Sequence, residues 1–130
     1  EAVKIQIGSA YSTGDEPEME VKGRDLVSGI PKTVRVHSQE IRECIQEPIQ
    51  AIVEAVRRAL EITPPGLASD IVDRGIVMTG GGALIRGLDQ LIARETNLPI
   101  HVDEEPLTCV VGGAGRILDD VNKYRGVLAT

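Results

Sequence analysis

Ile76-Val77-Met78-Thr79-Gly80-Gly81-Gly82-Ala83-Leu84 is the stretch on which the reading of this chain turns. Its first four residues form a short apolar run, the composition of a strand buried on both faces. Three consecutive glycines follow, and then Leu84, Leu88, Leu91 and Ile92 recur with helical period. The pattern predicts strand, glycine turn and helix, with Asn97 to Pro99 closing the helix and Ile100 to Val102 as a second strand. Strand–helix–strand units of this kind build α/β layers. Residues without a Cβ at such a turn let a ligand approach the backbone, beside the free N–H groups of the helix start. The same triplet also reads as a tight turn that lets helix and strand pack. It lacks the Lys-Ser/Thr of a P-loop and the GxGxxG spacing of a dinucleotide fold.

Upstream, Ser38 suits an N-cap, with Gln39 and Glu40 in a first helical turn. Ile41, Ile45, Ile49, Ile52, Val53, Val56 and Leu60 then form one apolar stripe, in which Pro48 predicts a kink near Cys44. Thr63-Pro64-Pro65-Gly66 ends this helix, and a short one from Leu67 to Asp73 follows, closed by Gly75. Earlier still, Met19 and Val21, then Val34 and Val36, alternate with polar residues. They predict an antiparallel hairpin with one face in water. Its connection, Leu26-Val27-Ser28-Gly29-Ile30-Pro31, is unusually apolar for a solvated loop. At the start, Val3, Ile5 and Ile7 alternate as in a strand, whereas Glu1 and Lys4 are spaced to share one face of a helix. Downstream, Pro106 to Thr108 reads as a joint. Val110 to Val121 reads as a last helix, loosened by Gly112, Gly113 and Gly115.

Composition limits the rest. A chain of 130 residues, 42% hydrophobic and 26% charged, is that of one globular domain rather than a disordered segment. There is no Phe or Trp, so the core must be aliphatic. A formal net charge of −6 argues against a nucleic-acid partner. No apolar run approaches the roughly 20 residues that span a bilayer, and no secretory signal is visible. Cys44 and Cys109 stand apart, as free thiols of a reducing cytosol do. Asp70, Asp73, Asp103, Glu104, Glu105, His37 and His101 lack ligand spacing and read as cap, loop and surface charges, so no catalytic or metal set is assigned. A start at Glu1 instead of Met points to an excised or processed piece.

Taken together, these segments resemble the second half of the MreB/Mbl family, the cell-shape actins of rod-shaped bacteria. The likeness runs through Glu1-Ala2-Val3-Lys4-Ile5, Ile7 to Ala10, Val21 to Thr33, Thr63-Pro64-Pro65, Asp70-Ile71, Gly75 to Leu84 and Pro106 to Val110. Gly23-Arg24-Asp25-Leu26 followed by the Thr-Pro-Pro break is its distinctive part, because the glycine triplet recurs across the wider actin, DnaK and sugar-kinase superfamily.

The resemblance implies an α/β fold: half of an actin-like (ribonuclease H-like) ATPase with a small α+β hairpin subdomain. Residues 1–37 would be the outer small subdomain, 38–108 the large subdomain, and 109–130 a helix returning to the first domain. It further implies that Glu1 to Ser9 is the tail of a helix, against the alternation. Gly80, Gly81, Gly82 and Ala83 would form the adenosine-binding turn, faced by Glu1, Ala2, Val3 and Lys4. Leu26, Val27, Ile30 and Pro31 would be filament contacts. The expected parent is a weak ATPase that binds ATP with Mg, the metal ligands lying in the other half, so this chain alone would not hydrolyse ATP. It would polymerise with itself and organise cell-wall synthesis from the cytoplasmic face of the membrane. Expected partners are a RodZ-type membrane adaptor, the wall-synthesis machinery and, through the other half, the membrane. Two rival readings remain: the C-terminal lobe of an ATP-dependent kinase of the same superfamily, and an interaction domain indifferent to nucleotide.

Overall fold

The computed structural model describes residues 1–12 and 14–128. The strand–helix–strand unit forms where its sequence places it. β3 (Ile76–Met78) and β4 (Ile100–Val102) pair in parallel, Ile76 opposite Ile100 and Met78 opposite Val102, joined through α4 (Leu88–Thr96). Gly75 makes the entry possible. Its φ of +78° is a glycine conformation, and a Cβ there would meet the Pro99 carbonyl, which accepts the Ile76 N–H.

The glycine triplet does not run straight into α4, as the periodicity predicts. Gly81–Leu84 coil as a 3-10 turn, and α4 begins only at Leu88, after Gly87. Leu84 therefore lies outside the helix and is exposed. β3 departs from expectation too. Val77 is exposed rather than buried, because β3 and β4 form a sheet of two strands with no layer over that side.

The core lies between α4 and the long helix α2 (Ser38–Glu61). Ile49 and Val53 of α2 pack on Leu88 and Ile92 of α4, with Ile45, Val56, Met78, Ile85, Leu91 and Ile100 around them. Each such side chain removed from water contributes about 1.5–3 kcal/mol. α2 runs unbroken through Pro48, so the proline does not divide it. Its N-cap is His37 instead of Ser38. The Glu40 carboxylate accepts the His37 N–H at 3.2 Å, which leaves Ser38 inside the helix and buried. α3 spans Pro65–Arg74, starting on the proline as a first helical turn allows.

α1 (Ala2–Ile7) is helical, so the alternation of Val3, Ile5 and Ile7 misleads. Only Ile7 is buried, and in so short a segment a strand period and one helical face pick out nearly the same residues. The hairpin pairs β1 (Glu18–Arg24) with β2 (Pro31–His37), Met19 opposite Val36 and Val21 opposite Val34. Both its faces are largely exposed, a departure from the one wet face predicted. At its tip, the Asp25 carboxylate accepts the Val27 and Ser28 N–H groups at 2.8 and 3.2 Å, and the Gly29 N–H returns to the Asp25 carbonyl. This aspartate-braced turn holds Leu26 and Val27 outward, 97% and 98% exposed, so the tip does not fold onto its own strands.

α5 (Cys109–Asp119) carries Val110, Val111 and Leu118 into solvent. An unpartnered apolar helix frays readily or pairs with a copy of itself. Amide hydrogen exchange on the isolated chain is expected to find residues 109–121 least protected, or protected only as concentration rises. Strong protection of this segment in a dilute monomer would contradict the exposure seen here.

Candidate functional site

α1 and the glycine turn face each other across a cleft of about 360 Å³ lined by Glu1, Lys4, Ile5, Gly81, Gly82, Leu84, Ile85 and Leu107. Glu1 and Lys4, one helical turn apart, form the polar wall. Their charged groups lie 2.8 Å apart, and the Lys4 hydrogen bond, reinforced by its charge, holds the Glu1 carboxyl below its usual pKa. Both side chains keep contact with solvent, so an arriving ligand finds a donor and an acceptor without breaking a buried pair.

The three glycines play different parts. Gly80 has φ +81° and ψ 173°, a region essentially reserved for glycine, and its N–H donates to the Pro106 carbonyl at 2.6 Å. That bond brings the joint at 106–108 beside the turn and sets Leu107 over Gly81. A Cβ on Gly81 would lie 3.6 Å from Leu107 Cδ2, ordinary contact, and one on Gly82 would meet nothing within 4 Å. Only the first glycine, then, is required by the fold of this chain. The other two keep the floor of the cleft open, which packing within the chain does not call for.

Of the sequence-predicted residues, Glu1, Lys4, Gly81 and Gly82 come together in this cleft. Ala2 and Val3 lie on the same helix outside its lining. Gly80 supports the turn from behind, and Ala83 is buried beneath it. Ile5, Leu84, Ile85 and Leu107, the apolar walls, are missed by sequence reasoning. Ile5 was hidden by the strand-like alternation, and Leu84 by its assignment to α4. For Leu107 no local pattern marks its approach to Gly81, since a single backbone hydrogen bond from a distant segment creates it. Leu26, Val27, Ile30 and Pro31 stand apart, at the hairpin tip.

The strand–helix–strand core, the hairpin and the cleft together define a segment of an actin-like fold. The crystal structure of MreB5 of Spiroplasma citri bound to ADP superposes with a TM-score of 0.86 at 38% identity, covering 96% of this chain and 38% of that one. The same protein bound to AMPPNP gives a TM-score of 0.84. The MreB/Mbl protein family model matches residues 1–126. The cell shape-determining protein MreB of Escherichia coli K12 is 50% identical over 128 residues, 98% of this chain and 37% of that protein. Mbl of Bacillus subtilis 168 is 45% identical over 123 residues. This chain belongs to the MreB/Mbl family, and it spans a little over a third of the length of these relatives.

The unequal glycines give a direct test by melting of the isolated chain. Gly80→Ala should destabilise it by roughly 1–3 kcal/mol, the strain of a side chain in a glycine-only conformation. Gly82→Ala should lie within about 0.5 kcal/mol of the parent or slightly above it. Equal losses at both positions would mean that Gly82, too, is structural.

Proposed function

We propose that this chain supplies the adenosine side of the ATP pocket of a cell-shape-determining bacterial actin, and surfaces along which that actin polymerises. The observation that carries the first part is the open floor at Gly81 and Gly82, opposite a Lys4–Glu1 pair that offers a donor and an acceptor. Apolar walls from Ile5, Leu84, Ile85 and Leu107 suit the faces of a purine, and the free N–H groups of the 3-10 turn suit polar atoms near it. The ADP- and AMPPNP-bound neighbours support this reading. Mg and the groups that activate water belong to the other half of the fold in this reading, so hydrolysis needs the longer protein. Residues 1–37 act as the outer subdomain, 38–108 as the large one, and 109–130 as the return helix, whose exposed apolar face is its seat on the first domain.

For the second part, the braced apolar tip is the contact. Leu26, Val27 and Ile30 are flanked in sequence by Lys22, Arg24 and Lys32 around the turn-forming Asp25, while Ile62, Leu67 and Val72, each exposed, lie in a stretch that also carries Glu61, Asp70, Asp73 and Arg74. One stretch is mainly basic and the other mainly acidic, which favours head-to-tail contact between copies. Filaments built so would work at the cytoplasmic face of the membrane, with a RodZ-type adaptor and the wall-synthesis machinery as partners.

Gly81→Val in a full-length protein carrying this sequence should weaken ATP binding about tenfold or more (roughly 1.4 kcal/mol). The thermal midpoint should barely move. Unchanged affinity with an unchanged midpoint would refute the adenosine assignment.

The filament part is checked separately by sedimentation. The isolated chain, added below equimolar amounts, should reduce polymer mass of the full-length protein. The double substitution Val27→Asp, Ile30→Asp should remove that effect, since burying two unpaired charges is strongly unfavourable. If both forms act alike, the tip is not the contact.

A further inference from the structure

The two walls of the cleft converge on one joint, and that joint also anchors the hairpin. After α1, Ser9 pairs with Arg86 as a parallel bridge, and the Ala10 N–H donates to the Arg86 carbonyl at 2.8 Å. Arg86 closely follows the glycine turn. Ser9 is therefore where the helix bearing Glu1 and Lys4 is tied to the segment bearing Gly81 and Gly82. Its side chain points the other way. The Ser9 and Ser38 hydroxyls lie 3.3 Å apart, both residues buried, and Ser38 directly follows the last residue of β2. Arg42 completes the cluster. Its Nε donates to the Ser9 hydroxyl at 3.4 Å, and its terminal nitrogen contacts both Glu16 carboxylate oxygens at 2.6 and 2.8 Å. Glu16 sits on the strap leading into β1, and the Pro17 carbonyl beside it accepts the Ser38 N–H at 2.9 Å.

Little else holds the hairpin. Both of its faces are mostly exposed, and none of its residues is fully buried. At its root, beside the half-buried Met19 and Val36, these polar groups add directional geometry to its bearing on the body. Resting on the nucleotide reading given above, we propose that Ser9 and Arg42 form a coupling joint through which occupancy of the Glu1–Lys4/Gly81–Gly82 cleft sets the orientation of the hairpin and its apolar tip. A ligand drawing the two walls together moves Ser9, to which both are tied. Ser9 carries Ser38 and Arg42 with it, and Arg42 carries the incoming strap through Glu16. Arg42 is a positioning residue here; it does not line the cleft.

The test compares the full-length protein carrying this sequence with its Arg42→Gln and Glu16→Gln variants, each with and without ADP. Binding is followed by fluorescence of a labelled ADP, and the hairpin root (residues 15–18 and 36–39) by hydrogen exchange. In the parent, ADP should change exchange at the root at least about threefold. Both variants should bind ADP within about threefold of the parent yet lose most of that change, and their polymer mass should depend less on nucleotide. A merely structural Arg42 would alter exchange equally with and without ADP, and that result would overturn the proposal. So would a parent that binds ADP with no response at the root, or variants that respond as the parent does. A parent that fails to bind ADP would instead remove the nucleotide reading itself, and the coupling with it. Glu16→Gln leaves the body of the chain untouched, so misfolding of Arg42→Gln would not spare the idea.

Discussion

The contact between α2 and α4 is what the rest of this structure depends on. Without Phe or Trp, the chain builds its buried centre from Ile49 and Val53 on one helix and Leu88 and Ile92 on the other. Small aliphatic side chains bury less area each than aromatic ones, so the seam must be continuous to stabilise the fold. The candidate cleft is attached to it. β3 and β4 lean on it through Met78 and Ile100, and Ile85 packs on it directly after the glycine turn. Arg57, on the same stretch of α2, reaches Glu95 of α4 at 2.6 Å and ties the far end of the seam. That exposed pair adds orientation more than energy.

Set on this seam, the cleft is built from parts that carry little structural weight themselves. α1 buries only Ile7, and the turn at Gly81–Leu84 buries only Ala83. A site assembled from lightly anchored walls can adjust to a ligand at modest cost, whereas a site cut into the seam would have to disturb packed side chains. The division among the glycines follows the same logic. Gly80 is fixed by backbone geometry and its bond to Pro106, while a Cβ would meet only ordinary contact with Leu107 at Gly81 and nothing within 4 Å at Gly82. Packing within this chain does not demand glycine at 81 or 82.

Much of this could be read from residues alone, and the reasons for the failures are specific. The hairpin, the long helix, the strand–turn–helix–strand unit and the α3 break all follow from local period and breaker residues, which act over a few positions. Period could not separate strand from helix over Val3, Ile5 and Ile7, because six residues sample under two helical turns. It also merged Leu84 into α4, since nothing local announces that the chain coils as a 3-10 turn before Gly87 resets it. The exposure of Val77 reflects how few strands this chain contributes to its sheet, a property no apolar run can express. In the cleft, the polar wall and the glycine floor were identifiable from the resemblance. The apolar walls were not: Ile5 and Leu84 were masked by local period, and Leu107 reaches the cleft through one long-range backbone bond at Gly80.

The exposed apolar residues are not all alike in how they are held. Scattered single apolar side chains on a surface are ordinary, but at the hairpin tip and along α5 several strongly exposed ones fall close together in sequence. At the tip the exposure is actively maintained. Asp25 spends both its side-chain and main-chain hydrogen bonds on a turn that keeps Leu26 and Val27 away from their own strands. A loop selected only to connect β1 and β2 would gain by folding those residues down, or by being polar. The α5 face lacks such bracing and its helix contains Gly112, Gly113 and Gly115, which lower its intrinsic stability by about 1 kcal/mol each relative to alanine. A pre-ordered surface loses less entropy on binding and suits repeated, reversible contact between copies. A loosely held helix suits a seat that orders it once, within one longer chain. The two surfaces thus differ in how far they are ordered before any contact.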